Sequence, residues 1–274
     1  MRTSPIGVFD SGYGGLTILE PIRRLLPEYD FIYLGDNART PYGTRSFEIV
    51  YQFTRQAVKR LFEEGCHLVI LACNTASAKA LRTIQQNDLP AAYPSRRVLG
   101  VIRPTIEAID AISCTCHIGI VGTAGTISSK SYNLEIQKLY PEMTVTGEAC
   151  PMWVPLVENR EHDSEGADFF VKKNIHHLFS SDPQIDTIIL GCTHYPLLEK
   201  TIRRYLPDGV SLVSQGPLVA ESLKNYLCRH PEMTARLSKN GLCRYMTTEA
   251  SQKFSESASI FLHHPIEVEQ IVLS

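Results

Sequence analysis

A chain of 274 residues is long enough to bury a sizeable core, as one large domain or two ordinary ones. Hydrophobic residues make up 43% and charged residues 20%, and the formal charge of −2 supplies no basic field for nucleic acid or an anionic membrane. No apolar run approaches the roughly 18–20 residues that cross a bilayer.

In chain order, Met1 to Pro5 runs directly into Ile6-Gly7-Val8-Phe9, which reads as a strand. That leaves no room for a signal peptide, so a cytoplasmic location is expected. Asp10-Ser11-Gly12-Tyr13-Gly14-Gly15-Leu16 follows, a glycine-rich turn opening a helix. Its bare N–H groups suit an anion such as a carboxylate, although it matches neither the dinucleotide nor the phosphate-loop spacing. Asp10 is equally a candidate helix N-cap. A second strand at 31–34 leads into Gly35-Asp36-Asn37-Ala38-Arg39-Thr40-Pro41-Tyr42-Gly43. That stretch reads as a surface loop or as a specificity loop bringing backbone near Tyr42 and Gly43 to a polar substrate.

Between 46 and 64, apolar residues at helical spacing predict an amphipathic helix closed by Gly65. The short apolar run 68–71 reads as a strand covered by helices on both faces. Comparable strands are expected at 98–101, 117–121, 187–190 and 210–213. Such alternation defines an α/β protein with mainly parallel sheets.

Two segments echo each other: Val69-Ile70-Leu71-Ala72-Cys73-Asn74-Thr75 and Ile188-Ile189-Leu190-Gly191-Cys192-Thr193-His194. A second echo links Ile6-Gly7-Val8-Phe9-Asp10-Ser11-Gly12 with Ile118-Gly119-Ile120-Val121-Gly122-Thr123-Ala124. The offsets are 112 positions from Ile6 to Ile118 and 119 from Cys73 to Cys192. Two similar α/β halves are expected, 1–96 with 208–274 and 97–207, joined by a linker near 87–97 that carries Pro90, Pro94 and Ser95. Ligands of open parallel sheets bind beyond the carboxyl ends of the strands, which places the site between the halves.

A lone cysteine after an apolar strand is usually core. At a helix N-terminus its thiolate is favoured, and having two such thiols points to function. A C-x5-R phosphatase needs arginine six residues after the nucleophile, where Lys79 and Leu198 stand. A cysteine hydrolase would use His194 but leave Cys73 idle. Two thiols facing one carbon acid use both. No metal site is expected, and Cys66, Cys114, Cys116, Cys150, Cys228 and Cys243 read as free packing thiols. The pairs His176-His177 and His263-His264 read as solvated.

The chain resembles the glutamate racemase family of cofactor-independent amino-acid racemases. The resemblance rests on Phe9-Asp10-Ser11-Gly12, Gly35-Asp36-Asn37-Ala38-Arg39, Pro41-Tyr42-Gly43, Ala72-Cys73-Asn74-Thr75-Ala76, Gly122-Thr123-Ala124-Gly125-Thr126, Cys150-Pro151, Val154-Pro155-Leu156-Val157-Glu158 and Gly191-Cys192-Thr193-His194-Tyr195-Pro196. It implies interconversion of L- and D-glutamate for peptidoglycan, without pyridoxal phosphate or metal, in a homodimer. Cys73 and Cys192 would be the two acid/base residues, assisted by Asp10 and His194 respectively. Asp10, Ser11, Tyr42, Gly43, Asn74, Thr75, Thr123, Thr193 and His194 would contact substrate, with Asp36 and Glu158 supporting. Ser214-Gln215-Gly216 departs from the Asp-Ser-Gly of many relatives. The start of the chain lacks the extension of members activated by a peptidoglycan precursor, so dependence on that activator is not expected. The alternatives are aspartate racemase or another two-cysteine racemase, and, in a different class, a binding protein for an acidic amino acid.

Overall fold

The computed structural model describes residues 4–109, 111–262 and 264–273. Among them run ten strands: β1 (Ile6–Asp10), β2 (Phe31–Gly35), β3 (Leu68–Leu71), β4 (Arg97–Gly100), β5 (His117–Gly122), β6 (Thr144–Ala149), β7 (Thr187–Gly191), β8 (Ser211–Val213), β9 (Cys243–Thr247) and β10 (Val268–Gln270). One sheet has the order β10-β9-β2-β1-β3-β4 and the other β6-β5-β7-β8. Every pairing in both is parallel. The arrangement β2-β1-β3-β4 is therefore repeated as β6-β5-β7-β8, and the sequence echoes fall on matching strands, β1 with β5 and β3 with β7.

The seven expected strands are present, each within about a residue of its expected bounds. Strands β6, β9 and β10 were not foreseen. The edge strand β10 is three residues with two exposed, and β6 has Thr144 and Gly147 exposed and Glu148 as its single buried position, so neither carries an apolar run. Both expected domain junctions need correction. Strand β4 pairs with β3 in the larger sheet, and β8 pairs with β7 in the smaller, so cuts at 96/97 and 207/208 each detach a strand from its partner. The expected linker at 87–97 is helical through Ile84–Asp88 and Leu89–Ala92 and then enters β4. Pro90 sits in the first turn of the latter helix, where a missing N–H costs nothing.

The helix expected at 46–64 spans Phe47–Glu63. Ser46 caps it by accepting the Ile49 N–H at 3.3 Å, and Gly65 ends it with φ +97°. Strand residues alternate between two apolar layers: Leu68 and Ile70 face one cluster, Val69 and Leu71 the other. In the smaller sheet Ile188 and Leu190 face one layer and Ile189 the opposite one. Both sheets are thus covered on both sides, as parallel sheets require. No described helix is long and apolar enough to cross a membrane.

Trp153, the sole tryptophan, is fully buried at the start of the helix Trp153–Glu158. Its Nε1–H donates to Asn174 Oδ1 at 3.0 Å, and its ring meets Tyr195 edge-on with centroids 4.7 Å apart. Tyr195 in turn donates to the Cys150 carbonyl at 2.9 Å. Trp153→Ala is expected to cost about 3–5 kcal/mol in urea unfolding, by cavity formation. An unchanged midpoint would show that this ring does not anchor the smaller half.

Candidate active site

In a sheet with this strand order, the crevice lies where the connections diverge, between β1 and β3 and between β5 and β7. Asp10 closes β1 and Cys73 lies two residues beyond β3; Thr123 and Cys192 directly follow β5 and β7. A cavity of about 280 Å³ opens between these four ends. Both thiols line it, with Ser11, Tyr42, Gly43, Asn74, Thr75, Thr123, Glu158, Thr193 and His194. Asp10 and Asp36 lie behind its wall.

Cys73 occupies the N-cap of the helix Asn74–Lys79. Its sulfur accepts the Ala76 N–H at 3.4 Å and lies 3.4 Å from Ser11 Oγ. Burial, and then the Asp10 charge, nevertheless push the thiol up to about 12 against those two bonds. The expected acidic thiol at a helix terminus is therefore overturned at Cys73. Desolvation outweighs what the Ser11 and Ala76 bonds at the helix terminus give back. At Cys192 the expected α-helix N-terminus is absent: the residue precedes a turn and the 3-10 helix Tyr195–Leu198.

His194 stands 3.9 Å from the Cys192 sulfur through Nδ1 and 3.1 Å from Glu158 Oε1 through Nε2. Burial by itself lowers a histidine, but the hydrogen bonds to Cys192 and Glu158 and their charges carry this one up to about 10. An imidazolium therefore faces the Cys192 sulfur at neutral pH. Asp10 is completely buried, and burial raises its carboxyl against the opposing His194 charge and the Gly12 and Gly15 N–H bonds. Its Oδ2 accepts from Gly12 N at 2.9 Å, and Thr193 Oγ1 donates to Oδ1 at 3.4 Å. Asp10 does not cap the following helix, Leu16–Leu25, whose N-cap is Gly15.

Asp36 is buried and accepts from Arg39 Nε at 2.7 Å, Thr248 Oγ1 at 2.8 Å and the Tyr42 hydroxyl. It fixes the loop that carries Tyr42 and Gly43. The two halves meet closely here. Thr75 Oγ1 lies 3.0 Å from Thr123 Oγ1, and both lie within 3.3 Å of the Thr126 hydroxyl. Gly125 N donates to the Gly43 carbonyl at 2.7 Å. A Cβ at Gly14 would stand 2.3 Å from Thr193 Oγ1 and 2.5 Å from His194 Nδ1. The glycine-rich turn therefore serves partly to let the opposite half approach.

Thr126, Tyr132 and Gln215 also belong to this region, and sequence reasoning missed their part in it. Thr126 lies in the quoted Gly-Thr-Ala-Gly-Thr stretch, and Gln215 was noted only as a departure. Apart from the Thr123–Thr126 pair, the side chains they touch are distant in sequence. The remaining cysteines are all free, but only Cys66 and Cys150 are buried packing thiols. Cys116 and Cys243 are half-buried and pack against the cores as expected, whereas Cys114 and Cys228 are exposed, which corrects the packing expectation for those two. His176 and His177 are exposed, and His177 Nδ1 lies 2.6 Å from Glu148 Oε2. His264 is exposed, and His263 lies outside the described residues. No group of three or more His, Cys, Asp or Glu among the described residues is arranged to hold a metal ion.

Residues 15–223 match the family model described as Asp/Glu/hydantoin racemase. The chain is 39% identical over 274 residues to a glutamate racemase of Ruegeria sp. (strain TM1040), covering 96% of this chain and 98% of that one. It is 40% identical over 272 residues to that of Dinoroseobacter shibae, covering 96% and 97%. Among solved structures, a glutamate racemase isoform from Bacillus anthracis superposes with a TM-score of 0.90 at 36% identity, covering 100% of this chain and 99% of that one. A glutamate racemase from Francisella tularensis, solved with D-glutamate, gives 0.87 at 32%, covering 99% and 98%. Two parallel-sheet halves closing on a shared cleft are the architecture of these racemases, and the protein is an isomerase. The chain belongs to the Asp/Glu/hydantoin racemase family.

Gly14→Ala is expected to lower racemase activity about a hundredfold, because a displacement near 1 Å at the reacting groups costs that much. Activity within twofold of wild type would show that the approach of the halves at Gly14 is not required. A second expectation concerns pH. A histidine raised above its ordinary 6.5 stabilises the fold fully below pH 6.5, and this contribution is lost as pH rises through about 10. Urea unfolding of wild type should weaken across that window, and His194→Gln should remove that part of the slope. Parallel slopes for the two proteins would contradict a buried imidazolium.

Proposed function

We propose that this protein interconverts L- and D-glutamate by proton transfer at Cα between Cys73 and Cys192. The observation that carries the reading is the placement of the thiols: they come from matching strands of two repeated sheets and line one cavity. The α-proton of an amino acid is very weakly acidic, and a thiolate is a modest base. The site must therefore hold a carbanion-like state by positioning and by preorganised donors. The hydroxyls of Thr75, Thr123 and Thr193 suit substrate carboxylates, with Ser11, Asn74, Tyr42 and Gly43 completing the contacts.

With D-glutamate, the Cα–H electron pair stays on carbon as Cys73 takes the proton. Cys192 then gives its proton to the opposite face, and its S–H electrons remain on sulfur. With L-glutamate the roles invert, so the two thiols titrate as one coupled site. Asp10 assists Cys73 and His194 assists Cys192. Glu158 acts through His194, and Asp36 through Tyr42 and Arg39. No pyridoxal phosphate or metal takes part in this scheme. The proposal extends to a cytoplasmic homodimer that supplies D-glutamate for peptidoglycan. Its two domains divide along the sheets, with β1–β4, β9 and β10 in one and β5–β8 in the other.

Circular dichroism of D-glutamate incubated with the purified protein is expected to decay to zero without added cofactor. Cys73→Ala and Cys192→Ala should each lower the rate by about 10²–10⁴-fold or more, the range for a lost general acid or base. Near-wild-type turnover by either variant would refute the two-thiol scheme. Faster racemisation of D-aspartate would reassign the substrate.

A further inference from the structure

Behind the cavity, three side chains close a ring. Asn74 Nδ2 donates to Gln215 Oε1 at 2.6 Å, Gln215 Nε2 donates to the Tyr132 hydroxyl at 2.9 Å, and that hydroxyl donates to Asn74 Oδ1 at 2.7 Å. All three residues are buried. The direction of the ring is fixed, because Gln215 Nε2 also lies 3.3 Å from the Val101 carbonyl and 2.9 Å from Thr105 Oγ1. A carbonyl only accepts, so the nitrogen must face it.

The members of this ring lie beside each thiol. Asn74 directly follows Cys73. Tyr132, from the helix Ser131–Leu139 of the smaller half, lays its ring edge 3.6 Å from the Cβ position of Gly191, which directly precedes Cys192. Gln215 begins the helix Gln215–Arg229, which is seated on the larger half: a Cβ at Gly216 would lie 2.5 Å from the Thr17 carbonyl. One carboxamide therefore joins the residue after one sulfur to the side chain resting on the residue before the other. A buried network in which each member is satisfied is stiff, because any displacement strands a polar group.

We infer that Gln215 is a positioning residue that sets the separation of the Cys73 and Cys192 sulfurs, through Asn74 on one side and Tyr132 on the other. The inference rests on the two-thiol reading and deepens it. Gln215 does not line the cavity, so it acts on the reacting groups only through Asn74 and Tyr132.

The test uses Gln215→Met, which keeps volume and removes the amide, with Tyr132→Phe and the double variant. Racemisation of D- and L-glutamate is followed for each. Each single variant should lose about tenfold or more in kcat in both directions, with KM within about threefold, the mark of misplaced reacting groups. The isotope effect with Cα-deuterated substrate should rise as proton transfer becomes more limiting. The double variant should fall no further than the worse single, since both open the same ring. Tyr132→Phe loses one hydroxyl and no bulk, and so gives the same reading should Gln215→Met not fold. Unchanged kcat in the single variants, a loss confined to thermal stability, or losses that multiply in the double variant would each overturn the inference. Wild type that does not racemise glutamate would bring down the two-thiol reading itself, and this inference with it.

Discussion

The structure depends on two parallel sheets directing their carboxyl ends at one another with almost nothing between them. Parallel sheets collect their loops at one edge, so each half supplies a row of turns rich in N–H groups and hydroxyls. What brings the rows into contact is the lack of side chains at particular places. Gly14 faces Thr193 and His194, and Gly43 faces Thr123, whose Cβ lies 2.8 Å from the Cβ position of that glycine. The bonds Thr75–Thr123, Gly125–Gly43 and Thr193–Asp10 then cross the gap. Any side chain at these glycines would move one half against the other, because the facing atoms belong to residues that are themselves bonded.

That close approach removes water, and the electrostatics follow from its removal. Asp10, Cys73 and His194 are all buried, so each responds strongly to its neighbours. Burial raises the Asp10 carboxyl, while the His194 cation and two backbone N–H groups hold it back. His194 keeps its proton because Cys192 and Glu158 outweigh the cost of burying the charge. The same burial holds the proton on Cys73. Carboxyl, imidazole and carboxyl thus alternate from Glu158 through His194 toward Asp10, within a cleft where a charge without its partner is costly.

Much of this was legible in the chain itself. Seven strands announced themselves because a strand covered on both faces must be apolar throughout, and the thiol segments stood out because they recur. The repeat was real to the level of strand order, yet the junctions fell a strand late at each end. Proline and serine suggested a linker at 87–97, where the chain continues as helix into β4. Residues such as Thr126, Tyr132 and Gln215 gave no such sign, because their importance lies in partners 51 to 141 positions away: Thr75 with Thr126, Asn74 with Tyr132 and Asn74 with Gln215. Thiol acidity was misjudged for a related reason. A helix terminus is visible in sequence, while the depth at which it is buried is not.

The repeat also has a limit that bears on chemistry. Cys73 and Cys192 occupy matching places after β3 and β7, but their surroundings do not match. One sulfur caps a helix beside a hydroxyl and a carboxylate; the other precedes a tight turn beside an imidazolium. A reaction that takes a proton on one face and returns it on the other needs one sulfur protonated and one not at each moment. Symmetric surroundings would leave that choice to chance. In the proposed reaction the α-ammonium of the substrate supplies the positive charge that the Cys73 side lacks, since a cation near a buried thiol favours its thiolate. The protein then provides a fixed cation on one side of the carbon and borrows the other from its substrate, so that duplicated strands set the distance and unequal neighbours set the proton.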